Sequence, residues 1–302
     1  MQARQLEVFC MLMRCGTVTG AAGMLNISQP ALSQILLHAE DQLGFKLFNR
    51  VRGKLVPTRE AEELYPECEK IFSELGALKR HTTDMRFGRT GIIRVAASAP
   101  PAMSIVPKAL ASFREAHPDV VIRSLIAPLV NVVDMIRNGD AAIGLVMNNM
   151  ARPGIEVETL GHTELICILP EGHRLAEREH INFSDLQEET LISYRAGTYP
   201  GRILLSAAAA EKQMFNPAIE IDISLTALPF VRDGYGVAVV DGLLPWDQFP
   251  GLIRKPLSHK AMVPIALLTS RDRPLTGSHL AMRDNIRDAC ASVLAKAEDL
   301  SR

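Results

Sequence analysis

The order of helix-capping and helix-ending residues up to Gly44 constrains the fold more than any other feature of the sequence. Apolar residues at helical spacing predict an amphipathic helix over about residues 3–14, which a glycine ends. Thr17 can cap a short second helix, and Ser28 can cap a third with Pro30 in its first turn, where a missing N–H costs nothing. Two short helices joined by a tight turn predict a helix-turn-helix.

The start of the third helix carries polar side chains that suit base recognition. In a helix-turn-helix the N-terminal residues of the second helix enter the major groove, and glutamine and serine can donate and accept hydrogen bonds at base edges. The N-terminus of the helix also favours a nearby phosphate. We therefore expect contacts to double-stranded DNA from Ser28, Gln29, Pro30, Ser33 and Gln34.

A basic turn follows the third helix. Arg50, Arg52 and Lys54 lie between two short apolar segments, which predicts a wing whose cations meet phosphates or the flanking minor groove. Residues 1–58 carry six basic and three acidic side chains, a net charge of +3, whereas the rest carries 27 and 31, a net charge of −4. A cationic segment on an anionic body indicates that this segment meets a polyanion. A three-helix bundle with a charged hairpin is the alternative.

A long helix is predicted after the wing, capped by Thr58 and ended by 88–91, with Pro66 as a kink. Apolar and small residues recur along it at alternating steps of three and four, which indicates a seam for a partner helix. The seam comprises Ala61, Leu64, Cys68, Ile71, Leu75, Leu78, Thr82 and Met85. The same stripe would suit a helix packed on its own domain.

From residue 91 strands alternate with helices, which predicts two βαβ-type units and parallel sheets with ligand sites at the carboxyl ends of the strands. The predicted strands are Ile92–Ala97, Val120–Ala127, Ala141–Met147, Glu164–Leu169, Thr190–Tyr194, Ile219–Ile223, Val237–Val240 and Val263–Thr269. The predicted helices cover about 101–116, Val130–Arg137, about 198–214, Ala227–Asp233 and about 277–297.

Several residues just beyond strand ends or at helix starts are candidates to line a cleft for a small-molecule effector. They are Ser98, Pro128, Asn131, Met147, Gly197, Thr198, Thr226 and Asp241. Helix starts offer N–H groups and hydroxyls to an anion, whereas Asp241 would suit an amine or guanidinium. Each residue can equally be a plain cap or turn residue. Arg195 is the alternative charge, which would suit a dianionic ligand.

Catalytic and metal-binding motifs are missing from the sequence. It contains no H-E-x-x-H pattern, no G-x-S-x-G elbow and no G-x-G-x-x-G after a first strand, so we expect no catalytic residues, metal or cofactor. The five cysteines never form a C-x-x-C pair, which disfavours a disulfide framework or structural zinc. No apolar run approaches the roughly 18 residues of a membrane span, and we expect a cytoplasmic protein that binds no membrane.

The N-terminal residues of this chain resemble those of the LysR-type transcriptional regulators. The resemblance rests on the stretch 28–33 with Glu40, Leu43–Gly44, Leu47–Phe48, Arg50 and Pro57–Thr58 in the order and spacing of that family. Gln34 departs from the family, which often has arginine there, and Glu60 and Ala61 depart from a pattern that places a glycine after Pro-Thr-x-Ala. The Gln34 departure, with the stretch 35–38 that is less basic than usual, bears on base preference and on the strength of non-specific binding, not on DNA binding itself.

The resemblance covers the whole chain and implies an α/β protein in three parts. These are a winged helix-turn-helix over 1–58, a linker and dimerisation helix over 59–88, and a two-lobed effector domain of periplasmic-binding-protein type over 89–302. Lobe 1 would comprise about 91–162 and 267–302, and lobe 2 about 163–266. It also implies pairing through the linker helix, a tetramer built as two dimers, and RNA polymerase as a partner.

A further resemblance concerns the effector. The segments Ser224–Leu228, Val231–Gly234, Val239–Asp241, Ala196–Thr198 and Pro57–Ala61 are similar to the branch that senses opines and basic amino acids. Leu129 and Val130 depart from that branch, in which polar residues are common at these positions.

Two other functions stay open from the sequence. One is a solute receptor or small enzyme built on the two-lobed body, with the N-terminal segment as an interaction module. The other is a redox-controlled version of the same regulator, in which Cys167 and Cys290 would be the cysteines to replace.

Overall fold

The computed structural model describes residues 1–51, 54–86 and 92–299. The chain divides into two compact units, residues 1–88 and 89–302, which we call the head and the body. Arg52 and the predicted end of the long helix at 88–91 lie outside the described residues.

The head contains the predicted helix-turn-helix and wing. Its elements are α1 Ala3–Cys15, α2 Val18–Met24, α3 Gln29–Leu43, β1 Phe48–Val51, β2 Lys54–Pro57 and α4 Arg59–Arg86. Gly16 and Gly44 end α1 and α3 with φ of 67° and 78°, a left-handed conformation that favours glycine. The Thr17 and Ser28 hydroxyls accept hydrogen bonds from backbone N–H groups in the first turns of α2 and α3, as capping requires.

One apolar core joins these elements. Phe9 of α1 is fully buried and lies edge-on to Phe48 and to Tyr65 of α4, with ring centroids 6.0 Å and 6.2 Å apart. Leu12 and Leu32 are also fully buried in this core. The N-terminal half of α4 therefore packs on the helix-turn-helix and belongs to its fold.

The body is a mixed sheet covered by helices. Its strands are β3 Ile92–Ala97, β4 Val121–Ile126, β5 Ile143–Val146, β6 Ile155–Pro170, β7 Leu191–Tyr194, β8 Ile219–Ile221, β9 Val237–Asp241, β10 Leu252–Pro256 and β11 Met262–Ser270. Its helices are α5 Ala99–Ser104, α6 Val106–Ala116, α7 Leu129–Asn138, α8 Tyr199–Ala210, α9 Ala227–Arg232 and α10 Ser278–Asp299. The strand order is β4-β3-β5-β11-β6-β9-β7-β8, and β10 also pairs with β6.

Strand directions bring the carboxyl ends of two parallel triplets together. The triplets β4-β3-β5 and β9-β7-β8 are each parallel, whereas β11 is antiparallel to β5 and to β6, and β9 is antiparallel to β6. Val146, at the end of β5, is level with Thr159 of β6 across β11, and Asp241, at the end of β9, pairs with Leu165. Both triplets therefore end towards the same stretch of β6.

Several boundaries predicted from the sequence were wrong. The helix predicted over about 101–116 is two helices separated at Ile105, because Pro107 cannot donate a backbone hydrogen bond back to the preceding turn. Strand β6 begins at Ile155 instead of Glu164, and β10 was not predicted at all. Helix α8 ends at Ala210, before Lys212 adopts a left-handed φ of 57°.

Candidate nucleic-acid interface and effector site

The predicted base-reading residues form an exposed surface at the start of α3. The side chains in question are Ser28, Gln29, Pro30, Ser33 and Gln34, and all five are exposed. The Gln29 amide donates a hydrogen bond to the Thr19 hydroxyl over 2.7 Å, which ties it to α2 and leaves its carbonyl oxygen for a further contact. The surface is thus polar and held by the α2–α3 packing.

Glu40 anchors the wing to the far end of α3. Its carboxylate is 7% exposed and accepts hydrogen bonds from the Leu47 and Phe48 N–H groups over 2.9 Å and 3.2 Å, while Lys46 pairs with it over 2.7 Å. The sequence marked Glu40 only through the family pattern. Its structural role is to fix where β1 begins relative to the recognition helix.

Thr58 closes the other end of the wing. Its hydroxyl donates to the Lys46 carbonyl over 2.8 Å and accepts from the Ala61 N–H over 3.2 Å, so it joins the wing to the first turn of α4. Arg50 on β1 is exposed, as a phosphate contact requires. Lys54 begins β2, and its side chain lies outside the described set, like Arg52.

The apolar stripe of α4 has two sides with different roles. Ala61 and Cys68 are buried in the head, and Leu64 and Leu75 pack against the same core. Ile71 and Leu78 instead are 49% and 58% exposed, seven residues apart on the helix. The head core therefore uses part of the predicted seam and leaves Ile71 and Leu78 exposed. The side chain of Met85 lies outside the described set, and Thr82 is exposed.

In the first half of the body, the candidate effector residues follow the strands β3, β4 and β5. Ser98 occupies the N-cap position of α5 directly after β3 but makes no capping hydrogen bond, and its hydroxyl oxygen is buried without a hydrogen-bond partner in the described part of the chain. Pro128 and Asn131 at the start of α7 are exposed, whereas Met147 after β5 is 8% exposed. An unpaired buried hydroxyl is costly, so Ser98 is the group here that most needs a ligand or water.

In the second half, Thr198 caps α8. Its hydroxyl accepts from the Gly201 N–H over 3.1 Å and donates to the Arg195 carbonyl over 2.7 Å, while Gly197 before it is exposed. A Cβ at Gly201 would lie 2.1 Å from the Arg195 carbonyl oxygen, so this tight cap requires glycine. Thr226 is exposed and donates to the Ile223 carbonyl over 2.6 Å.

Asp241 does not present its charge to the cleft as the sequence suggested. It is fully buried, one carboxylate oxygen accepts from the Tyr194 hydroxyl over 2.7 Å, and the other accepts from the Leu243 and Leu244 N–H groups over 3.1 Å and 3.3 Å. Burial raises the pKa of Asp241 above its usual range, and these hydrogen bonds only partly oppose it. Burial and the neighbouring Asp241 carboxylate raise the pKa of Tyr194, and the buried Ser224 hydroxyl has no hydrogen-bond partner in the described part of the chain.

The charged groups exposed at the ends of β7 and β8 are different residues. Arg195, just after β7, pairs with Asp222, just after β8, with Nε and Oδ1 2.8 Å apart, and both side chains are more than half exposed. Arg202 in the first turn of α8 donates to the Gly197 carbonyl over 2.9 Å and lies over the Tyr199 ring. Sequence reasoning missed Asp222 and Arg202, because Asp222 fell inside a predicted strand and Arg202 inside a predicted helix.

Within the described residues, no group of three or more histidine, cysteine, aspartate or glutamate side chains could hold a metal ion. In the same ranges, no helix is both long and apolar enough to cross a membrane. Burial raises the pKa of Cys290 to about 11 and raises the pKa of Cys167 further, so both thiols stay protonated at neutral pH. Protonated buried thiols disfavour the redox-controlled alternative.

Comparisons with known proteins agree with this geometry. Residues 3–62 match the family described as bacterial regulatory helix-turn-helix protein, lysR family, and residues 88–291 match the LysR substrate binding domain. The chain is 30% identical over 240 residues to the regulatory protein NocR of Agrobacterium fabrum, covering 80% of each chain. It is 29% identical over 242 residues to the octopine catabolism/uptake operon regulatory protein OccR of Rhizobium meliloti, again covering 80% of each.

Solved structures show the same fold. Full-length CbnR in complex with its target DNA superposes with a TM-score of 0.62 at 17% identity, over 96% of this chain and 100% of that one. The two family matches together span both compact units of the chain. They set aside the receptor and enzyme alternatives, because the family consists of transcriptional regulators. The chain therefore belongs to the LysR family of bacterial transcriptional regulators.

Proposed function

We propose that this regulator reads operator DNA with α3 and the wing, and that a small carboxylate-bearing metabolite bound between the two halves of the body controls it. The observation that carries the proposal is the meeting of two sets of strand ends around β6, with the unpaired Ser98 hydroxyl at one of them. In open α/β sheets ligands bind at the carboxyl ends of the strands.

The proposal assigns DNA binding to residues 1–58, pairing to the helix over 59–88, and effector binding to 89–302, with lobes of about 91–162 plus 267–302 and about 163–266. Exposed Ile71 and Leu78 support pairing through α4. A tetramer is typical of the family. The regulator would act in the cytoplasm and contact RNA polymerase.

The effector class we propose is an opine or a basic amino acid. OccR, whose name refers to octopine catabolism and uptake, and NocR are relatives at 29% and 30% identity. Arg195 and Arg202 supply cations for a carboxylate, and Asp222 supplies an exposed anion for a cationic nitrogen, in place of the buried Asp241. Exchange of the Arg195–Asp222 pair for ligand contacts costs little, because exposed ion pairs contribute at most about 1 kcal/mol.

Two experiments test the two halves of this function. Gel shifts against genomic fragments should reveal specific DNA binding. Arg50→Ala should weaken binding to all DNA sequences and reduce the slope of log affinity against log salt concentration by about 1. Gln29→Ala should instead change the preference among sequences. Calorimetry of the full chain with octopine, nopaline, arginine and lysine tests the effector class. If the chain binds a neutral sugar tightly and none of these four compounds, the proposed effector class is wrong. The proposed DNA recognition would not be affected by that result.

A further inference from the structure

One cavity in the body is separate from the predicted effector residues. It measures about 220 Å³, room for about seven water molecules or a small metabolite, and none of the eight predicted effector residues lines it. Its apolar walls come from α5 and α6, from the last turns of α10, and from the loop after β9. They include Met103, Val293, Leu243 and Leu244.

Positive charge dominates the lining of this cavity. The lining contains three cationic side chains, which are Lys108 of α6, Lys296 of α10 and Arg254 of β10. Asp247 is the one acidic side chain in the lining. Lys108 and Lys296 are exposed and form no ion pair with the described residues. Burial lowers the pKa of Arg254, which means that its guanidinium is partly withdrawn from water and gains from a nearby anion. Lys108 and Lys296 therefore bring two cations from separate helices to one cavity, beside Arg254 and Asp247.

The cavity also joins residues of both predicted lobes of the body. Helices α6 and α10 pack on each other and α10 packs on β6, whereas Arg254 lies on β10, which pairs with β6, and the loop 242–248 follows β9. Asp241 fixes the loop through the Leu243 and Leu244 N–H groups, and the same carboxylate accepts from Tyr194 at the end of β7. A ligand in the cavity would therefore touch the loop 242–248. The Asp241 carboxylate joins this loop to Tyr194, at the end of the strand that leads to Gly197 and Thr198.

We propose that this cavity is a second ligand site, which takes a small dianion, a dicarboxylate or a phosphate monoester, and links the two halves of the body. Lys108, Lys296 and Arg254 contact the anionic groups, and the apolar walls accept the carbon skeleton. Because a ligand that touches both halves favours one arrangement of them, its binding changes the affinity of the effector cleft, and the effector changes its affinity by the same factor.

Calorimetry on the full chain with succinate and with ethyl phosphate, at constant ionic strength, tests the site, and neutral succinamide is the control ligand. We expect saturable binding of at least one dianion and none of succinamide. The variant Lys108→Gln/Lys296→Gln should lose at least ten-fold in affinity. The matched variant Arg178→Gln/Lys212→Asn removes two exposed positive charges that do not line the cavity, and should stay within two-fold. Asparagine suits the left-handed backbone at Lys212.

Thr198→Val separates this site from the effector cleft. Dianion affinity should survive this change, because Thr198 does not line the cavity. Absence of saturable binding for both dianions would overturn the proposal. So would an equal loss in the two double variants, which would indicate a general charge effect, or a loss in Thr198→Val, which would place the anion in the effector cleft. None of these outcomes depends on the identity of the effector.

Discussion

The Ser98 hydroxyl is buried but unpaired in the described part of the chain. Removing it should therefore change ligand binding without weakening the fold. Ser98→Ala should leave the free energy of unfolding unchanged or raise it by up to about 1 kcal/mol, since no hydrogen bond is lost. Affinity for the effector should fall at least ten-fold. Urea unfolding and calorimetry on the same preparation measure both effects.

Ser104→Ala is the matched control, because the Ser104 hydroxyl donates to the Pro100 carbonyl over 2.8 Å. This variant should lose about 1 kcal/mol of stability and retain the effector. If Ser98→Ala instead destabilises the fold and binds the effector normally, Ser98 is a helix cap and not a ligand contact.

Asp241 gives a prediction about pH. Burial raises the pKa of Asp241 above 3.8 in the folded state, so the folded chain holds this proton where the unfolded chain has lost it. This residue's contribution to stability therefore falls as pH rises from about 4 to the raised pKa. Asp241→Asn removes that dependence and keeps an oxygen for the Leu243 and Leu244 N–H groups. Urea unfolding between pH 4 and 8 should give a flatter curve for the variant than for the wild type.

The same variant tests the two interpretations of Asp241. The sequence suggested a contact to a cationic ligand, whereas the buried carboxylate predicts that Asp241→Asn changes effector affinity much less than Asp222→Asn does. A larger loss in Asp241→Asn would restore the first interpretation. From the sequence, Asp241 follows the predicted strand Val237–Val240, whereas Asp222 lies inside the predicted strand Ile219–Ile223. The sequence does not show that Asp241 is the buried one, with hydrogen bonds from the Tyr194 hydroxyl and from two backbone N–H groups.

At the scale of elements, α4 carries two apolar surfaces. Ile71→Asp/Leu78→Asp should dissociate the oligomer, because unpaired carboxylates would be buried in the interface, while the stability of the head changes little. Leu75→Asp should instead lower head stability, since Leu75 packs on the head core. Sedimentation velocity and thermal unfolding of the three proteins distinguish the two surfaces. Equal sedimentation of wild type and the double variant would show that pairing does not use these residues.

Elements were predictable where single residues set their ends. Thr17, Ser28 and Gly44 fix the helices of the head through local caps, and these were predicted to within about a residue. Strand β10 was missed because Leu252–Pro256 is half-buried throughout and contains two cations and a proline, so it shows no alternation. The first half of β6 was missed although residues 155–159 alternate β-branched with acidic side chains, which was an available local signal. Its pairing with the distant β11 left no such signal.

At the scale of the whole molecule, the regulator must obey thermodynamic linkage between DNA and effector. If the effector changes DNA affinity by some factor, DNA must change effector affinity by the same factor, because both ligands bias one equilibrium between arrangements. We expect a coupling of about 1–3 kcal/mol, that is 5- to 150-fold. Titrating effector into the free regulator and into its complex with operator DNA gives one factor, and DNA titrations with and without effector give the other.

Variants in one unit should change one affinity and leave the coupling factor intact. Arg50→Ala lowers DNA affinity through a phosphate contact in the head, and Ser98→Ala lowers effector affinity in the body. Neither residue is expected to set the balance between the two arrangements. The ratio of effector affinities with and without DNA should therefore stay within two-fold of wild type in Arg50→Ala. A ratio that collapses to one would mean that the wing takes part in the switch itself, and that DNA contact and effector response cannot be assigned to separate units.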